Sequence, residues 1–433
     1  MKKQQKIENL ISKFLQLHDR KIDLSLDRIN RLNKELNINL DKLRVKTITI
    51  TGTNGKWSTA ATIRSIFEAA GYKVDLFTSP HVQSYTERFV FESKEISEKN
   101  LYNLLSEVGS KNSSKPITVF ELLTSAFFFY SALKSNSDLI IAENGLFQRY
   151  DSVSSIGHHL MKVVCQIGLD HLDWLPENKR SIDQIIIEKT SNIMSSNIIV
   201  SKQNNTEILK KIQQNIEKNN AKKIIFAKDY SYEINKDGFL YEDKFGLLQL
   251  PKPNLLGDHQ IANTACAISA VRNLKQYKIT NENIVKGIKS IKNMRGRLEI
   301  INKGILKKIA PTNTIFCDIA HNPSAGLAIS NYINTFNKKK KIYIICGMMN
   351  NKIHEKFIFN FKHVNEIIAI DIPNQKNSIK KEELKKIAEN IGINSKTSNS
   401  VQDAVKYIAE KDKNSIILII GSIFLIGEVL NLN

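Results

Sequence analysis

Two α/β units built on mostly parallel sheets are what this sequence predicts, and three observations predict them. Apolar runs that stop at Gly or small polar residues alternate with longer stretches of helical periodicity. The alternation comes in two series along 433 residues, a length suited to two or three domains. Hydrophobic residues supply 42% and charged residues 24%, with 8 Pro and 18 Gly, a globular balance that excludes a disordered or collagen-like chain.

The N-terminal stretch carries helical patterns over 7–17 and 24–36. The first strand series opens at 45–51 and continues through 139–142, 163–167 and 198–200. Short alternating segments over 224–250, with turns such as Lys236-Asp237-Gly238, predict a small antiparallel excursion before Pro251. After a helical pattern at 283–292, Asn293-Met294-Arg295-Gly296-Arg297 forms a basic, Gly-containing connection, and the domain boundary is set there, giving 1–295 and 296–433. The second series begins near Ile300 and runs through 315–318, 341–346, 366–370 and 416–420. A membrane-spanning helix needs about 20 apolar residues. The apolar tract 416–430 is broken by Gly421, Ser422, Gly427 and Glu428, and reads instead as a buried parallel strand turning into a helix.

Subtracting 43 acidic from 63 basic residues leaves a formal charge of +20. The excess is Lys scattered among Asn and Ile, as at Lys222-Lys223, without a defined footprint, so no nucleic-acid partner is expected. Cys165, Cys266, Cys317 and Cys346 lie far apart with no C-x-x-C spacing and read as buried free thiols of a reducing compartment. The opening Met1-Lys2-Lys3-Gln4-Gln5-Lys6 lacks the apolar core of a secretory signal. No membrane association is expected, and the cytoplasm is the predicted address.

Chemistry concentrates first after Ile48-Thr49-Ile50-Thr51, where Gly52-Thr53-Asn54-Gly55-Lys56-Trp57-Ser58-Thr59 leads into helical 60–70. In a strand, glycine loop and helix, backbone N–H groups and the helix N-terminus face an anion. Lys56 adds a point charge, and Ser58 or Thr59 adds a hydroxyl for Mg²⁺. The spacing G-x-x-G-K-x-S-T is shorter than the usual P-loop pattern.

Further motifs follow in order: Thr78-Ser79-Pro80-His81, Phe120-Glu121-Leu122-Leu123-Thr124, Glu143 with Gly145-Leu146, Arg149-Tyr150-Asp151, Leu169-Asp170-His171 and Glu188-Lys189. Gly257-Asp258-His259-Gln260 with Asn263, Gly296-Arg297, Asp318 with Ala320-His321-Asn322-Pro323, and Gly421-Ser422 complete the series. Together they resemble the dihydrofolate synthase/folylpolyglutamate synthase family of the Mur ligase superfamily, over about 47–429. That resemblance implies a P-loop-containing, mostly parallel-sheet ATPase domain followed by a smaller Rossmann-like α/β domain. It also implies an ATP-dependent amide ligase of folate biosynthesis and one-carbon metabolism. Such an enzyme phosphorylates a pteroate or folate carboxylate and joins L-glutamate to it through an acyl phosphate. A monomer is the family expectation.

Carried over by resemblance, Gly52, Thr53, Asn54, Gly55, Lys56, Ser58 and Thr59 hold the ATP phosphates, with Asn263, Arg297 and Asp318 as further ATP contacts. Ser79, Glu143 and His171 match Mg²⁺-binding positions, although His is a less typical ligand for that ion. Lys189 matches a lysine that is carbamylated and bridges a second Mg²⁺; by itself, a Lys beside Glu188 in a helix reads as a solvated surface residue. Lys56, Lys189 and His321 are the expected catalytic residues, His321 near the phosphate and glutamate sites. Phe120, Glu121, Tyr150 and Asp151 match the dihydropteroate side, where an aromatic stacks on the ring and a carboxylate accepts from its amino group.

Four departures stand out. Trp57 replaces a loop Gly, Phe147-Gln148 a Gly-Gly pair, Ser152-Val153-Ser154-Ser155 an Ala-Thr-Asn-like run, and Asn351-Lys352-Ile353 an Asp-Lys-Asp-like run. The retained phosphate and metal residues argue for catalysis, and the altered acceptor side leaves open a related ligase joining an amino acid to a different carboxylate. The +20 charge alone favours a third reading, a nucleic-acid-associated ATP-binding protein.

Overall fold

The computed structural model describes residues 2–18, 23–292, 295–336 and 340–433. Asn293 and Met294, in the expected interdomain connection, lie outside the described residues. Two compact units form: one from 1–167, 182–254 and 260–291, the other from 168–181, 255–259 and 292–433. The second unit thus takes two short segments from the first half of the sequence besides its C-terminal stretch.

The first unit is built on eight strands: β1 (Thr47–Thr51), β2 (Val74–Phe77), β3 (Phe89–Phe91), β4 (Lys94–Glu95), β5 (Leu139–Glu143), β6 (His159–Val164), β7 (Ser195–Val200) and β8 (Lys222–Ile225). They lie in the order β4-β3-β2-β5-β1-β6-β7-β8. Pairing is parallel from β2 to β8 and antiparallel at β2–β3 and β3–β4. The β-branched run of β1 is buried on both faces, as a central parallel strand requires. Its isoleucines join one apolar cluster with the helices Lys56–Ala69 and His259–Arg272. On the opposite face Phe77, Phe91 and Phe127 stack at 5.2 to 5.6 Å between ring centroids. The helix Asn281–Ser290 sits so close to Lys56–Ala69 that a Cβ on Gly287 would lie 2.5 Å from the Ile66 Cα.

The expected antiparallel excursion is a meander of β9 (Tyr230–Asn235), β10 (Gly238–Asp243) and β11 (Gly246–Pro251). Strand β2 was not expected, because Asp75 interrupts its apolar run. The Asp75 carboxylate is buried, accepting from the Glu92 amide at 2.8 Å and the Ser135 hydroxyl at 2.9 Å.

The second unit carries β12 (Glu299–Ile300), β13 (Thr314–Asp318), β14 (Ile342–Cys346), β15 (Glu366–Ala369), β16 (Ser395–Thr397) and β17 (Ile416–Ile420) in the order β12-β13-β17-β14-β15-β16. All pairs are parallel except β12–β13. The apolar tract at 416–430 is therefore a fully buried strand followed by the helix Ile423–Asn431. Among the described residues no helix is long and apolar enough to cross a membrane. All four cysteines are free and buried.

Candidate active site

The glycine loop is shaped by two backbone requirements. Gly52 (φ +141°) passes so near the end of β6 that a Cβ there would lie 2.8 Å from the Cys165 Cβ. Gly55 (φ +82°) faces Asn263, whose amide oxygen occupies the place a Cβ would need. Between them, the amides of Thr53 and Asn54 donate to the Gln166 carbonyl at 2.8 and 3.1 Å, and the Asn54 side chain donates to the Gln166 side chain at 2.7 Å. These two amides brace the loop, which alters the expectation that the whole loop cradles phosphate. The remaining donors of the loop are those of the first helical turn. The helix starts at Lys56, its N-cap Gly55 offers no side-chain acceptor, and first-turn N–H groups have no intrahelical partner. Thr59 is fully buried with its hydroxyl against the Cys165 thiol at 3.4 Å, which leaves Ser58 as the better-placed hydroxyl.

Lys56 Nζ lies 3.6 Å from Glu143 Oε1. The Ser79 amide, next to a cis Ser79–Pro80 bond, donates to Glu143 Oε2 at 3.4 Å. The Ser79 hydroxyl is buried and finds no hydrogen-bond partner. A buried hydroxyl left unmatched costs about 1–3 kcal/mol. A hard cation held by the Ser79 and Glu143 oxygens and completed by phosphate would relieve that cost, so the donor set fits Mg²⁺. Among the described residues no group of three or more His, Cys, Asp or Glu is placed to hold a metal ion.

Lys189 is buried, not solvated. Its ammonium donates to the Leu146 carbonyl at 2.6 Å and the Gly52 carbonyl at 3.1 Å, with the Phe147 ring centroid at 5.4 Å. It ties the glycine loop to the segment after Glu143.

The acceptor-side residues divide. Phe120 stacks on Phe77 at 5.9 Å and closes over Gly145, where a Cβ would meet its ring at 2.8 Å. Tyr150 is exposed beneath the Arg149 guanidinium at 5.0 Å. Glu121 is committed elsewhere: it closes the capping box of helix Val119–Leu133 with Thr118 and takes both prongs of the Arg28 fork at 3.0 and 3.1 Å. Asp151 accepts from the Gly145, Leu146 and Val153 amides at 2.9 to 3.1 Å and from the Asn144 side chain at 3.1 Å. Both carboxylates shape the backbone around the site.

In the second unit a buried carboxylate is the organising group. Asp170 receives Lys352 Nζ at 2.7 Å and His321 Nε2 at 3.1 Å, with His171 Nε2 at 3.7 Å. Burial works to raise its pKa, but His321, His171 and Lys352 together hold it well below the ordinary carboxylate range. His321 Nδ1 faces the Ile319 carbonyl at 2.8 Å, so both ring nitrogens look at oxygen acceptors. Asp318 accepts from the Leu298 and Ala320 amides, both at 2.8 Å, and burial lifts its pKa to about 6. It anchors the turn that carries Arg297. Sequence reasoning quoted Asp170 and Lys352 within motifs without giving either a role, and passed over Asn144 and Lys162. The signal for Lys162 was a charge inside an otherwise apolar strand.

The Mur ligase middle domain matches residues 50–271, and the Mur ligase glutamate ligase domain matches 296–423. The chain belongs to the Mur ligase family. Within it, the similarity is to dihydrofolate synthase/folylpolyglutamate synthases. The Escherichia coli protein is 28% identical over 78% of this chain and 74% of its own length; that of Bacillus subtilis is 26% identical over 89% and 90%. A structure of E. coli FolC in complex with DHPP and ADP matches with a TM-score of 0.86 at 26% identity, covering 98% of this chain and 97% of that one. This Mur ligase is a member of the dihydrofolate synthase/folylpolyglutamate synthase family and an ATP-dependent ligase.

Proposed function

We propose that this ligase adds L-glutamate to dihydropteroate, γ-linked glutamates to reduced folates, or both. The names of its relatives support the acceptor class, and the FolC structure with DHPP and ADP supports the nucleotide. The observation that carries the reading is the group of Lys56, Glu143 and the partnerless Ser79 hydroxyl beside the positive end of helix Lys56–Ala69.

Lys56, Ser58 and the first-turn amides bind the ATP phosphates, and Asn263 keeps the Gly55 turn in place. Ser79 and Glu143 would hold Mg²⁺, which would supply charge neutralisation between two anionic groups. An acceptor carboxylate oxygen bonds to the γ-phosphorus as its bond to ADP breaks. The glutamate nitrogen then attacks the acyl carbon, phosphate leaves, and the nitrogen loses its proton. Asp170 and the Ile319 carbonyl orient the His321 ring, and Arg297 has the donor fork suited to phosphate. Metal contact by His171 and carbamylation of Lys189 belong to the same family-based reading. A mass increase of one CO₂, lost on acidification, tests the latter. The reading takes the chain as a cytoplasmic monomer, which size-exclusion with light scattering tests for its state of assembly.

Purified protein with MgATP, L-glutamate and either dihydropteroate or tetrahydrofolate should release ADP and give an amide product by mass. Lys56→Ala should abolish both with the fold intact. Absence of product from either acceptor overturns the folate reading. It would favour a ligase for a different carboxylate, to which the buried Phe147 and Gln148 beside the site already point.

A further inference from the structure

A fully buried lysine has no part in the chemistry above. Lys162 stands on β6 between Met161 and Val163, both core residues, in register with Thr49 of β1 and Ile198 of β7. An apolar residue there would cost nothing, whereas a buried ammonium must be compensated.

Among the described residues, the hydrogen bonds of the Lys162 ammonium go to the segment that follows Glu143. Lys162 Nζ donates to Asn144 Oδ1 at 2.6 Å and to Gln148 Oε1. The Asn144 amide group donates onward to Asp151 Oδ1 at 3.1 Å, so the cation reaches its nearest carboxylate through an intervening amide. The Ser154 hydroxyl closes the ring by donating to the Gln148 carbonyl at 2.7 Å. The same Asp151 receives the Gly145 and Leu146 amides, and Leu146 in turn presents its carbonyl to Lys189. Gln148 belongs to the Phe147-Gln148 pair that replaces glycines, so the side chain that receives Lys162 is one of this chain's departures.

We propose that Lys162 is a positioning residue for the ligase reaction: through Asn144, Gln148 and Asp151 it fixes the backbone from Glu143 to Asp151, which carries a metal ligand at one end and the acceptor-side residues at the other. This rests on the ligase reading of the site. An apolar replacement of a whole buried polar network is often neutral or stabilising, so the presence of such a network at Lys162 points to shape rather than to stability.

Hydrogen exchange and steady-state kinetics of the full chain test it together. In Lys162→Met, the Gly145, Leu146 and Val153 amides should exchange about tenfold faster or more, with helix Val119–Leu133 unchanged. The KM for the carboxylate acceptor should rise about tenfold while the KM for ATP moves less than about twofold, and Lys162→Gln should recover part of the difference. Unchanged exchange at those amides, faster exchange across the whole first unit, or equal shifts in both KM values would overturn the assignment. Should Lys162→Met fail to fold, Gln148→Leu, which keeps the lysine, is read by the same criteria. If the wild-type protein makes no product with either acceptor, the substrate reading fails, and the exchange result still decides the role of Lys162.

Discussion

The Ser79 hydroxyl is buried with no partner of its own, while the amide of the same residue lies 3.4 Å from the Glu143 carboxylate. An oxygen kept dry and unsatisfied beside a buried acid is poised for a cation. Ser79→Ala therefore removes a group that no atom of the described residues hydrogen-bonds, and the melting temperature should rise by about 2 °C or more as the unmatched hydroxyl is lost. Activity should fall about tenfold or more, equivalent to about 1.4 kcal/mol, with a higher Mg²⁺ concentration at half-maximal rate. An unaltered Mg²⁺ dependence would count against Ser79 as a ligand.

Gly55 and Gly71 both have positive φ, at +82° and +88°, but only Gly55 has a neighbour in the way. Gly71→Ala should cost about 1 kcal/mol from backbone strain alone and leave nucleotide binding intact. Gly55→Ala adds a collision with Asn263 and should cost about 2–3 kcal/mol, with ADP binding lost in calorimetry. Equal behaviour of the two variants would remove Asn263 from the account of the loop.

Removing the charge of the buried Asp170 leaves the partly buried Lys352 and His321 without the carboxylate they face. Breaking a buried ion pair by deleting one partner costs about 3–5 kcal/mol. Asp170→Asn should lower the urea midpoint and the rate together, whereas removing Lys352 as well should restore part of the midpoint. A double variant no more stable than the single one would contradict the pairing.

Acid should destabilise the protein through its histidines. Burial holds His81 and His159 down to about 3 and His259 to about 4, each well below the ordinary 6.5. His159 is built to be neutral: Nδ1 donates to the Gly157 carbonyl at 2.8 Å, and Nε2 accepts from the Thr49 hydroxyl at 2.7 Å. The folded protein binds fewer protons than the unfolded chain between these values and 6.5, so stability rises with pH across that window and is lost as pH falls through it. Each histidine contributes a slope of about 1.4 kcal/mol per pH unit. Urea unfolding at pH 5 and pH 7 checks this, and His159→Gln should flatten the dependence by about a third; an unchanged slope would contradict it.

What the sequence disclosed depended on how local each determinant is. The glycine loop was readable because Gly55 and Lys56 are set by a strand-to-helix turn of a few residues, and Glu143 because it ends a buried strand. Glu121 and Asp151 were assigned to a ligand by resemblance, and their type suits one. Their oxygens are consumed by Arg28, Thr118 and four donors of the Asn144–Val153 segment, partners that only the fold supplies. Taken without the resemblance, Lys189 read as a surface lysine because the Gly52 and Leu146 carbonyls that hold it lie 137 and 43 residues away. Strand β16 escaped notice because its Ser395-Lys396-Thr397 is a polar edge without an apolar run.

Strand β17 is the last strand in the sequence, yet it lies between β13 and β14 in the interior of its sheet. During synthesis, residues 299–411 leave the ribosome before the strand that joins their two halves exists. Until 416–420 emerge, β13 and β14 each present an open apolar edge, the condition in which nascent chains associate with one another or recruit chaperones. Substitutions in this short terminal run should therefore diminish the yield of soluble protein well before they alter the rate of the molecules that complete it.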